Sequence, residues 1–145
     1  MTFEELQNLA EKDLKINEGE LDLESIKTPQ IHNKYCKFHS TYKNLLKIAE
    51  QTLAKTTKEK WEYFTGKADP SVYQANPFNL KILRQDVDKY IKADSEIQKL
   101  EQKVTYIQDI VDYLEKTIKI ISNRSFQIKN AIEWRKFISG INYCN

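Results

Sequence analysis

The sequence predicts an all-α protein built on two long helices that fold back as an antiparallel, coiled-coil-like hairpin, with short helices at the N-terminus. Three observations carry this. The 145 residues include only three Gly and three Pro, too few for a many-turned β protein. Lys, Glu, Gln, Leu and Ile are abundant, and all but Ile are strong helix formers. Apolar residues recur at 3/4 spacing over two long stretches, the second lasting nearly five heptads. With 40% apolar and 30% charged residues, the composition is that of one ordinary domain with a core.

Thr2-Phe3-Glu4-Glu5 has the form of a capping box, and Phe3, Leu6, Leu9 or Ala10, and Leu14 share one face. The spacing predicts a short helix over about 3–14. A turn at Gly19 follows, then Leu21, Leu23 and Ile26, which fit either a helical turn or an extended arm. Residues 1–27 carry three Lys against eight acids, so this N-terminal helix and arm are acidic. Such an arm could lie on basic surface and compete with an anionic ligand, or serve only as a solubilising tail.

Thr28-Pro29 reads as an N-cap followed by proline at the first helical position. From Ile31 through Tyr35, Phe38, Tyr42, Leu45, Ala49, Thr52 and Thr56, no breaker intervenes before Gly66. The basic long helix is placed in 28–67, with about 37 helical residues and so roughly 55 Å long at 1.5 Å per residue. Residues 33–67 carry eight Lys against three acids, and the lysines lie off the apolar stripe.

Asp69-Pro70 and Asn76-Pro77 disfavour helix before each proline, so 68–78 is the main loop. A second helical region is expected over 79–145. Leu80, Leu83, Val87 and Tyr90 hold one register, which slips at Asp94-Ser95 where Ser95-x-x-Gln98 offers a cap signal. Beyond the slip, Ile97, Leu100, Val104, Ile107, Val111, Leu114, Ile118, Ile121, Ser125, Ile128 and Ile132 form a seam in which only Ser125 is polar. A seam of this length seldom closes within one small monomer, which points to oligomerisation through it. Ile110, Tyr113, Phe126, Trp134 and Phe137 widen it beyond two strands, and Ser139-Gly140 ends the helix before a tail with Cys144.

The chemistry-bearing stretch is Lys58-Glu59-Lys60-Trp61-Glu62-Tyr63-Phe64-Thr65-Gly66-Lys67. Cations interleaved with rings suit an unpaired nucleic acid, because lysines follow phosphates while bases stack on rings without regard to sequence. Lys55, Lys58, Lys60, Trp61, Tyr63, Phe64 and Lys67 are the candidate contacts. The same spacing also suits a helix end packed on a core, with the lysines as a solvated rim. A net charge of +2 is too small for the whole surface to attract nucleic acid, so a local patch is required.

Other sites find little support. His32, Cys36 and His39 share a helix face but lack a fourth metal ligand. Thr65-Gly66-Lys67-Ala68 lacks the upstream glycine and the following hydroxyl of a phosphate loop, and no nucleophile and base can be paired. No enzyme activity, metal or cofactor is expected. Asn123-Arg124-Ser125 matches a glycosylation acceptor but falls inside a helix. Cys36 and Cys144 make no disulfide framework, no apolar run reaches about 20 residues, and the acidic start is unlike a signal peptide. These features fit a reducing cytosol.

The order of parts, with Lys58-x-Lys60-x-x-Tyr63-Phe64-x-Gly66 and then Arg124-x-Phe126-x-Ile128-Lys129 and Trp134-Arg135-x-Phe137, resembles the UvsY recombination mediators of T-even-like bacteriophages over nearly the whole chain. The resemblance implies a non-enzymatic, single-domain mediator in the host cell cytoplasm, forming a ring-like homo-oligomer, hexamer or heptamer. It implies binding to single-stranded DNA, displacement of the phage single-strand-binding protein and loading of a RecA-like, UvsX-type recombinase. Lys58 and Lys60 would contact DNA beside Tyr63 and Phe64, and the C-terminal heptads would serve assembly. Trp61 and the proline-containing loop depart from the family pattern. A helical adaptor with no nucleic-acid role is the rival reading.

Overall fold

The computed structural model describes residues 1–140; the tail with Cys144 lies outside the described residues. The elements are α1 (Phe3–Leu14), α2 (Leu21–Phe64), α3 (Pro70–Ala75), a 3-10 turn (Arg84–Asp86), α4 (Val87–Ala93) and α5 (Ser95–Ile138). No strand occurs among the described residues. The chain divides into two compact units, Lys43–Asp109 and a unit made of Met1–Tyr42 with the chain from Ile110 onward. Each long helix contributes to both units: α2 is divided about equally, whereas the larger share of α5 lies in the unit that holds Ile110.

In the unit built from the chain ends, α1 starts with the capping box: the Glu5 N–H donates to Thr2 Oγ1 at 3.1 Å and the Thr2 N–H to Glu5 Oε2 at 2.7 Å. This satisfies two orphan donors and fixes the helix where the sequence places it. Leu6 and Ala10 are fully buried with Tyr35 of α2 and Ile110, Leu114 and Ile121 of α5. Burying a leucine completely contributes about 2 kcal/mol. Asp13 accepts from Lys34 at 2.7 Å and from the Tyr35 hydroxyl at 2.8 Å. The acidic N-terminal helix is therefore packed into a core. Its docking leaves one carboxylate on one lysine of the basic stretch.

α2 begins at Leu21, seven residues before the Thr28-Pro29 start read from the sequence, and Pro29 lies inside it. The reason is tertiary. Arg124, only 1% exposed, donates through Nη1 to the Glu24 carbonyl and to Thr28 Oγ1 at 2.9 Å, and through Nη2 to the Glu24 carboxylate. Thr28 Oγ1 in turn donates to the Glu24 carbonyl at 3.2 Å. These bonds hold the turns ahead of Pro29, whose missing N–H leaves the exposed Ser25 without its helical donor. Burial pushes the Glu24 carboxyl up, but the bonds from Arg124 and Lys27 outweigh it and leave the group below its usual range.

The α5 seam also differs in detail. Its buried polar members are Thr117 and Arg124, and Ser125 is exposed. Ile107, Val111, Leu114, Ile121 and Ile128 are buried within the chain itself, and Val104, Ile118 and Ile132 are half-buried. The seam assigned to oligomerisation is thus largely consumed inside the protomer. The apolar side chains left outside on this half of α5 are Ile120, Phe126, Trp134, Phe137 and Ile138.

In the Lys43–Asp109 unit, Val87, Ile91 and Ile97 form the core with Leu53 and Phe64. The expected antiparallel pairing of the long helices holds in both units. His39 meets Glu115 in the first, and Lys60 meets Asp94 and Glu96 in the second. The 68–78 loop contains α3, capped by Asp69, whose Oδ1 accepts from the Ser71 N–H and hydroxyl. Residues 76–83 are not helical, and Leu80 and Leu83 are exposed instead of lining a helix register. The slip at 94–95 is a break: Asp94 is extended, and its Oδ1 caps α5 by accepting from Glu96 and Ile97 at 3.0 and 3.1 Å. Asp94 does the capping read from Ser95.

Candidate nucleic-acid interface

α2 ends because Gly66 adopts φ +78°, a conformation costly for any residue with a side chain. The Lys67 N–H reaches the Glu62 carbonyl at 2.8 Å and the Gly66 N–H the Tyr63 carbonyl at 3.3 Å, which satisfies two of the last carbonyls. The turn swings Lys67 back so that its ammonium lies 4.6 Å from the centre of the Trp61 ring. That is cation–π distance. Trp61 remains 36% exposed.

The helical period then separates the candidate contacts. Lys58 faces outward, with 77% of its side chain exposed and only a loose approach of 3.8 Å to Glu62. Lys55 is exposed too. Lys60 lies about 200° around the helix from Lys58, on the inward side, where Asp94 and Glu96 hold it at 3.2 and 3.1 Å. Burial lowers its pKa, but the two carboxylates outweigh this and the ammonium is held above the usual lysine range. Its charge is already spent. The DNA-contact reading of the sequence did not include this pairing, whose source is two acids more than 30 residues away in the chain.

Tyr63 and Phe64 also face inward. Tyr63 stacks on Tyr73 with ring centres 5.4 Å apart and meets Phe78 at 5.3 Å; Phe64 touches Phe78 and Tyr90 at 5.3 and 5.7 Å. The Tyr73 hydroxyl donates to the Tyr63 carbonyl at 2.8 Å and accepts from the Ala68 N–H at 3.3 Å, while the Tyr63 hydroxyl donates to the Asn76 carbonyl at 3.0 Å. These rings tie the loop to the helix end and offer little free face to a base. The cleft between them, about 650 Å³, carries Glu59, Glu62, Asp69, Asp94 and Glu96 against Lys60. Such a cleft repels phosphate. The outer side of the same helix, with Lys55, Lys58, Trp61 and Lys67, has the opposite character.

Elsewhere, Cys36 Sγ lies 3.7 Å from His32 Nδ1 and His39 contacts Glu115 at 3.1 Å. Among the described residues, no group of three His, Cys, Asp or Glu could hold a metal, and no helix is long and apolar enough to cross a membrane.

Residues 9–141 match the family model described as "Recombination, repair and ssDNA binding protein UvsY". The chain belongs to the UvsY family. The recombination protein uvsY of Enterobacteria phage T4 is 22% identical over 140 residues, covering 97% of this chain and 99% of that protein. Crystal structures of the bacteriophage T4 recombination mediator protein UvsY superpose with TM-scores of 0.85 and 0.82 at 22% identity, over 96% and 92% of this chain and 98% of theirs. The all-α fold of the UvsY structures is therefore the fold of this chain. Sequence reading missed the buried Arg124 of this UvsY-family chain; an arginine in place of an aliphatic one heptad position from Ile128 was the available signal.

Proposed function

We propose that the chain is a recombination mediator that binds single-stranded DNA as a homo-oligomer, hexamer or heptamer. It helps displace the phage single-strand-binding protein and loads a UvsX-like, RecA-type recombinase on the strand, in the host cytoplasm and without catalytic chemistry of its own. The observation carrying the DNA reading is the outward cation and ring set of Lys55, Lys58, Trp61 and Lys67 at the end of α2, in a chain of the UvsY family. Lysines there engage phosphates, and Trp61 presents a ring on which a base can stack.

One such patch makes only about three phosphate contacts, so binding by a single copy is weak, with Kd on the order of 10⁻⁴ to 10⁻⁶ M. Repeating the patch around an oligomer raises avidity by roughly 10² to 10⁴. The exposed Ile120, Phe126, Trp134, Phe137 and Ile138 of α5 supply an apolar surface for assembly. A strand held at many points takes the path of the protein surface, which weakens a competitor that needs another path.

The packing of Tyr63 and Phe64 among other rings favours the rival, a helical adaptor without DNA binding. Fluorescence of Trp61 in a Trp134→Phe background separates the two. Quenching by oligo-dT that fades with salt supports the mediator; no response supports the adaptor. Reversing Lys55 and Lys58 to Glu should abolish most of the affinity while the oligomer persists, and retained affinity would reject the patch.

A further inference from the structure

The eight lysines of residues 33–67 are not equivalent in the structure. Lys34 is bonded to Asp13, and Lys60 to Asp94 and Glu96. Lys43, Lys47 and Lys55 are exposed and have no carboxylate partner among the described residues. At about 100° per residue, Lys43, Lys47, Lys58 and Trp61 fall within about 60° of arc on α2, with Lys55 about 60° further round. The inward residues Leu46, Ala49 and Thr56 occupy the other side. Along the axis, Lys43 and Lys58 are separated by roughly 22 Å, at 1.5 Å per residue. Only Glu50 and Glu62 interrupt the row with opposite charge.

We propose that the phosphate track is the whole outer face of α2 from Lys43 to Lys58, with Lys43 and Lys47 as backbone contacts about four to five turns ahead of the Trp61 end. This rests on the single-stranded DNA reading above and extends it to residues outside the motif. A straight helix holds these ammonium groups in a row, so a strand laid along it meets cations in succession. At duplex spacing of 3.4 Å per phosphate, the row has room for up to about six phosphates, and fewer when the strand is stretched. The acidic cleft on the inward side of the same helix keeps the strand on this face. The contacts are to phosphate alone, so binding along the row carries no sequence preference.

The test is the salt dependence of oligo-dT affinity for the full chain, for Lys43→Ala/Lys47→Ala, and for Lys99→Ala/Lys103→Ala, which removes the same charge from α5. Each single-strand phosphate contact contributes about 0.7 to the log–log slope. The Lys43/Lys47 pair should flatten the slope by about 1.4, so the affinity ratio between 50 and 200 mM salt should shrink about sevenfold. The α5 pair should leave the slope in place, and Lys43→Arg/Lys47→Arg should restore it. A wild-type slope in the Lys43/Lys47 variant would overturn the track while leaving the end patch intact. Equal flattening by both pairs would overturn it in favour of general charge. A wild-type chain that ignores oligo-dT would instead reject the DNA reading itself.

Discussion

Arg124→Met tests how the N-terminal turns of α2 are held. The guanidinium is buried and bonded to the Glu24 carboxylate, the Glu24 carbonyl and Thr28 Oγ1. Its removal leaves a buried carboxylate with only Lys27, at 3.4 Å, as a cation. Breaking a buried pair by deleting one partner costs about 3–5 kcal/mol. For a chain of this size that lowers the melting temperature by roughly 10–15 °C. The pH arm gives the sign. In the wild type the Glu24 carboxyl is depressed, so its stabilisation is present above the ordinary glutamate value of about 4.3 and lost as pH falls through the lower folded value. In the variant, burial acts without the guanidinium and raises the group. Acidification then relieves a cost, and the gap between variant and wild type should narrow from pH 7 to pH 4. Urea denaturation at both pH values measures this. Glu24→Gln/Arg124→Met should recover much of the loss. A cost under about 1 kcal/mol, or a gap independent of pH, would refute the reasoning.

Lys60→Met should cost about 1 kcal/mol, because the pairs to Asp94 and Glu96 are only partly shielded from water, and should change the oligo-dT salt slope by well under 0.7. A full 0.7 would return Lys60 to the DNA contacts. Gly66→Ala should destabilise by about 1–2 kcal/mol in thermal melts, since the site is roomy but its φ is left-handed, and Gly66→Asn should cost less. Equal stability of all three would mean that the turn is not held as described.

Much of the fold was legible because its signals are local. The capping box of α1, the stop at Gly66 and the register slip at 94–95 all lie within a few residues of the feature they set. The start of α2 was not legible, because Pro29 sits inside a helix held by an arginine nearly 100 residues away. The same limit applies to the heptad seam. Periodicity identifies most of the aliphatic residues that α5 buries, but not the buried Thr117 and Arg124, nor whether the partner is another copy or the chain's own α2. At the candidate interface, the helical period puts Lys58, Trp61 and Glu62 on one side and Lys60, Tyr63, Phe64 and Lys67 on the adjoining one, and the turn at Gly66 brings Lys67 back to Trp61. What the period could not give were Asp94 and Glu96, or the rings of Tyr73, Phe78 and Tyr90, which turn Lys60, Tyr63 and Phe64 inward.

The central claim is that weak cationic patches on the outer face of α2 are gathered by assembly into one strong grip on an unpaired strand. The mass of the intact particle in low salt, with and without an oligo-dT long enough to span several copies, tests it most directly. The account predicts a closed multimer that gains the mass of one strand shared among its copies. A monomer, or a multimer that passes the strand by, would contradict it.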